Sequence, residues 1–123
     1  MKTIDTGLPP LPVPMQWAVV SDGGVLYTSQ VPIRPDGQLE LGDARAQTEL
    51  MMRNLDKTLR AAGTDLSRLL QVQLFMTDPA DAAVVNQVYA EHIKQPYPNR
   101  ASFFVSALAV PGLRVEIVAC AQT

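Results

Sequence analysis

The chain is 123 residues long, 47% hydrophobic and 18% charged, which is the composition of one globular domain (residues 1–123) rather than a disordered segment. Its net charge of −2 and its scattered lysines and arginines exclude nucleic acid as the main partner, because phosphate binding rests on clustered cations. No apolar run approaches the roughly 18–20 residues of a membrane span, so no membrane partner is expected.

The amino terminus, MKTIDTGLPPLP, has one lysine and no apolar stretch, and is not expected to act as a secretory signal. Pro9, Pro10, Pro12 and Pro14 then mark a connection. Residues 16–21 and 25–31 are rich in β-formers and are separated by DGG, which predicts a hairpin. RPDG at 34–37 predicts a second turn. Residues 43–62 read as a helix, with Asp43 as N-cap and Gly63 placed to end it. Leu50, Met51, Leu55, Leu59 and Ala62 recur at helical spacing as its buried stripe.

Residues 69–77, LLQVQLFMT, alternate: Leu70, Val72, Leu74 and Met76 fall on one face, Gln71, Gln73, Phe75 and Thr77 on the other. TDPAD follows, with Asp78 as N-cap and Pro79 at the first helical position. A helix through Val85, Val88, Tyr89 and His92 comes next. YPNRASFF at 97–104 leads into a strand at 101–106, and the last strand covers 114–121. The order β-β-α-β-α-β-β predicts an α+β fold, a mixed sheet with two helices on one face. The opposite face mixes Gln71 and Gln73 with Phe75, Phe104 and Val118. It is too apolar for water and too polar for a core, which predicts a subunit interface.

Few residues can carry chemistry. One histidine and one cysteine cannot build a zinc site within a chain, and no glycine-rich phosphate loop follows a strand, so neither metal nor cofactor is expected. His92 sits on an apolar stripe, where packing is the commoner role. Cys120 ends a strand, reads as an inert thiol, and leaves no intrachain disulfide, which fits a reducing cytoplasm. Arg100 and Glu116 remain. If the last two strands are neighbours, both charges lie on the interface side of the sheet. They then form either a structural salt bridge or a ligand site, Arg100 clamping a small carboxylate and Glu116 positioning water.

YPNRASFF, VEI, VLYTSQVP, QTELMMRNLDKTLRAAG and VNQVYAEHI together resemble the Rid (RidA/YjgF) family of reactive intermediate deaminases, from about Met15 to Ala121. The resemblance implies a chorismate-mutase-like fold assembled as a homotrimer around a central β-barrel, with ligand clefts between subunits. It also implies hydrolysis of enamine or imine intermediates, such as 2-aminoacrylate, to 2-keto acids and ammonia without a cofactor. By that likeness Arg100 holds the substrate carboxylate and Glu116 orients the water, with Asn86 and Ser29 among the binding residues. Two further readings stand beside it: a non-catalytic trimeric binder of 2-keto acids, and a deaminase dedicated to one pathway, on an aminomuconate-like substrate.

The chain departs from the family pattern in places. The segment usually reading GPYSQA is VPMQWA here, at 13–18, so the family tyrosine falls on Met15. Ser29 is followed directly by Gln30, Val31 and Pro32, without the usual glycine. Ser102 stands where a cysteine is frequent. Trp17 is either a new aromatic wall of the cleft or interface packing.

Overall fold

The computed structural model describes residues 1–123. The DGG turn joins β2 (Ala18–Val20) to β3 (Val25–Gln30) as an antiparallel hairpin. Gly24 there holds φ +84°, a conformation open to glycine at little cost. A two-residue strand, β1 (Lys2–Thr3), pairs with β2 at the outer edge; two polar residues carry no periodicity, and the sequence gives no sign of it.

Helix α1 (Ala44–Ala61) begins at Asp43, whose side chain accepts the Ala46 N–H at 2.8 Å. It ends where Gly63, at φ +78°, lets the Thr64 N–H reach back to the Leu59 carbonyl at 3.0 Å. Strand β4 (Leu69–Met76) follows, then a single 3₁₀ turn (Pro79–Asp81) begun by Asp78, which accepts the Ala80 N–H at 2.9 Å. Helix α2 (Ala82–His92) leads through the proline-rich segment to β5 (Asn99–Phe104), and the chain closes with β6 (Val115–Gln122).

The sheet order is β1-β2-β3-β6-β4-β5. β3 and β4 are both antiparallel to β6 and so run parallel to each other, with α1 as their crossover and β6 inserted between them. β4 and β5 pair in parallel across α2. Both crossovers place their helices on one face, as the order of elements predicts. The core lies there, where Met51, Met52, Leu55 and Leu59 of α1 and Val85 and Tyr89 of α2 meet Leu26, Val72, Leu74 and Ile117 of the sheet.

Two expectations need correction. A register irregularity between Leu69 and Gln71 puts Leu69, not Leu70, on the buried face; Leu70 is 46% exposed. The strands bearing Arg100 and Glu116 are not neighbours, since β4 lies between β5 and β6.

Two buried amides tie loops to α1. Gln47 donates to the Gly42 and Gly112 carbonyls at 3.1 and 3.0 Å and accepts the Arg114 N–H at 2.9 Å. Asn54 donates to the Val31 and Ile33 carbonyls at 3.2 and 2.9 Å. Each satisfies backbone groups that would otherwise be buried without partners. Together they set where β3 ends and β6 begins. No helix is long and apolar enough to cross a membrane.

Candidate functional site

Pro98 favours extended backbone in its neighbours and delivers the chain into the edge strand β5. The β4–β5 register sets Arg100 opposite Val72, which is fully buried on the helix face. Cross-strand partners share a face, so the Arg100 side chain projects toward α2. Its Nε donates to Ser102 Oγ at 3.1 Å, its Nη2 donates to Asn86 Oδ1, and its guanidinium carbon stands 4.6 Å from the Tyr89 ring centroid. Asn86 and Tyr89 are three residues apart on α2 and so lie on one helix face.

Every neighbour that holds Arg100 is neutral. Arg34, Arg45, Arg60 and Arg114 each pair with a carboxylate of the chain, whereas Arg100 pairs with none. The internal salt bridge left open by the sequence is therefore absent. Asn86, Tyr89, Ile93, Tyr97 and Pro98 line a cavity of about 400 Å³ with Arg100 at its wall. Burial raises the Tyr89 phenol above its ordinary pKa, with Arg100 opposing that shift.

Glu116 lies elsewhere. Along β6 Val115, Ile117, Ala119 and Ala121 are buried against the helices, and Glu116, Val118 and Cys120 alternate onto the bare face. There Glu116 opposes Phe75 of β4, and Ser29 of β3 opposes Val118. Glu116 and Ser29 line a second cavity of about 200 Å³ with Met15, Trp17, Val31 and Val110. Burial pushes the Glu116 carboxyl above its ordinary pKa.

Trp17 is 8% exposed and donates its indole N–H to the Pro9 carbonyl at 2.8 Å. It packs with Val31, Ile33 and Leu113, so it walls the Glu116 cavity with its donor already used.

The candidate residues thus fall into two groups. Arg100, Asn86 and Ser102 cluster on the helix side of one sheet edge. Glu116, Ser29 and Trp17 cluster on the opposite face. The expectation that both charges share the interface side fails, because β4 intervenes and the β5 register turns Arg100 toward α2. Tyr89 and Tyr97 were not among the candidates. The NQVY spacing signals Tyr89, but nothing in the sequence separates a ring under a guanidinium from a ring in a core. His92 and Cys120 line neither cavity.

A mixed sheet covered by two helices on one face, with a cationic pocket at its edge and a carboxyl pocket on its bare face, defines an α+β protein of the chorismate-mutase-like fold. The chain belongs to the Rid (YjgF) family within that fold. The family model described as endoribonuclease L-PSP matches residues 14–123. A RutC family protein, y4sK of Sinorhizobium fredii, is 41% identical over 99 residues, covering 79% of this chain and 78% of the relative. Human 2-iminobutanoate/2-iminopropanoate deaminase is 31% identical over 109 residues, covering 88% of this chain and 79% of its own. The crystal structure of RidA from an Antarctic Psychrobacter superposes over 100% of both chains with a TM-score of 0.90 at 30% identity.

Proposed function

We propose that the protein hydrolyses 2-imino acids to 2-keto acids and ammonia, in a cleft completed by two copies of the chain. The observation that carries this reading is Arg100, a cation held by neutral neighbours at a cavity wall with no carboxylate of its own chain. A guanidinium has five N–H donors, and the two bonds to Ser102 and Asn86 leave three. Those three include a pair on the two terminal nitrogens, the fork that matches a carboxylate.

The imine carbon is already electrophilic, so the site needs orientation more than a strong nucleophile. With the substrate carboxylate on Arg100, the Glu116 carboxylate accepts a proton from water as the oxygen bonds to that carbon. Nitrogen of the tetrahedral adduct takes that proton back from Glu116. The adduct's hydroxyl then gives up the second proton of the water to nitrogen as the C–N bond breaks. Ammonia leaves with both protons, and the C=O bond of the keto acid forms. No cofactor enters this balance.

Arg100 and Glu116 project to opposite sides of one sheet, so one copy supplies each half. The bare face, with Tyr27 52% exposed and Phe103 40% exposed and stacked on Phe75 at 5.1 Å, is suited to bury against further copies as a homotrimer. The altered wall, with Met15 in the tyrosine position, favours a second reading in which the same cleft binds a 2-keto acid without turnover. A nuclease role lacks support, because four of the arginines are neutralised by carboxylates and no basic track results.

The test is complementation. Arg100→Ala and Glu116→Ala are each expected to lose keto-acid release from freshly generated 2-aminoacrylate. Mixed, dissociated and reassembled, they regain part of it, because some clefts then receive both native halves. Wild type without turnover but with keto-acid binding by calorimetry would replace the deaminase reading with the binder. Hybrids that stay inactive would refute the two-copy cleft.

A further inference from the structure

We infer that the site selects 2-imino acids with an aliphatic side chain of about four heavy atoms, the class formed from leucine or methionine, over those from alanine or serine. The inference rests on the reading above and deepens it.

Hydrolysis requires the imine carbon to stand beside the water that Glu116 orients. The carboxylate on that carbon is held by Arg100 in the other half of the cleft, which leaves the cavity that Glu116 lines for the side chain. Nine of the eleven residues around this cavity are apolar, Ser29 and Glu116 being the exceptions. Leu11, Val13, Met15, Val31, Leu39 and Val110 are among the nine. One feature specific to this chain adds to it: Met15 puts a flexible thioether where the family has a phenol. Trp17 adds a ring and offers no donor, since its N–H is held by Pro9. A serine-type hydroxyl on the substrate would find Ser29 and little else.

Size agrees with this chemistry. At roughly 30 Å³ per water-sized group, four heavy atoms fill about 120 Å³. The cavity is about 200 Å³, which leaves space for the attacking water. A methyl side chain would leave most of the apolar wall wet. Each buried methylene is worth about fourfold in transition-state binding, so a preference of at least about tenfold is expected for an isobutyl over a methyl side chain.

The assay generates imines in place from leucine, methionine, alanine and serine with an amino-acid oxidase. Hydrolysis by the full-length protein then competes with semicarbazide trapping. The expected result is kcat/KM at least about tenfold higher for the leucine and methionine imines than for the alanine imine. Val110 lies on an exposed loop, so Val110→Asp is expected to fold, as checked by circular dichroism, and to shrink that ratio to about threefold or less. Equal rates, faster hydrolysis of the alanine or serine imine, or a ratio unmoved in Val110→Asp would overturn the inference and leave the deaminase reading standing. Hydrolysis of no imine at all would remove both.

Discussion

Replacing Arg100 distinguishes a carboxylate clamp from a structural cation. In the free chain its five donors are divided between two internal bonds, to Ser102 and Asn86, and three unused N–H groups. A bound carboxylate would take a forked pair of those three. Charge-assisted hydrogen bonds contribute about 1.5–3 kcal/mol each, and a forked pair shares part of that, so about 3 kcal/mol is at stake. Arg100→Met is therefore expected to lower kcat/KM on imino acids by about 150-fold, at 1.36 kcal/mol per factor of ten. Arg100→Lys keeps the charge but not the fork, and should lose about tenfold.

Thermal stability provides the control. Arg100 sits on an edge strand without an ion pair, so the melting temperature of either variant should move by about 2 °C or less. The assay is keto-acid release from a freshly generated imine, with melting followed by circular dichroism. Full activity in Arg100→Lys would refute the bidentate clamp. A large loss of stability with unchanged activity would return Arg100 to a structural role.

Burial raises the Glu116 carboxyl above its ordinary value of 4.5, so the folded chain holds this proton more tightly than the unfolded one. Stability should then fall as pH rises from about 4.5 through the raised pKa, and Glu116→Gln should flatten that slope in chemical melts. The rate of imine hydrolysis should rise with pH over the same window, as the carboxylate forms. An acid limb at or below 4.5 would contradict this assignment. Arg114 donates to the two oxygens of Asp81 at 2.8 and 2.9 Å, and the Asp81 side chain is 9% exposed. Arg114→Met strands that carboxylate and should cost about 2–3 kcal/mol, discounted because Arg114 itself is partly solvated. The melting temperature should fall by roughly 6–10 °C, and a change within about 2 °C would show that water replaces the pair. Phe103→Asp on the bare face should yield monomers by light scattering and abolish turnover; an intact, active oligomer would displace that face as the contact surface.

Much of this protein is legible in the amino-acid sequence because it is decided locally. Asp43 and Gly63 bound the first helix through hydrogen bonds made within a few residues. DGG and RPDG place turns, and the alternation of 115–121 separates a buried face from a mixed one before any partner strand is known. The motif residues are equally local: Asn86 and Tyr89 share a helix face, and Arg100 and Ser102 share a strand face, whatever surrounds them.

What the tertiary structure alone decided is which of these faces meet. Strand order is a choice among distant pairings of similar energy, and nothing in the spacing of 99–122 reveals that β6 passes β5 to lie between β3 and β4. That insertion, with the Val72–Arg100 register, turns Arg100 toward the helices and leaves Glu116 on the bare face. One residue of register would reverse the assignment, because side chains alternate along a strand. The same long-range packing brought Pro9 to the Trp17 indole and gathered Leu11, Val31 and Val110 around Glu116. A pair of charges that reads from sequence as lying together on the interface side thereby stands on opposite faces of one sheet.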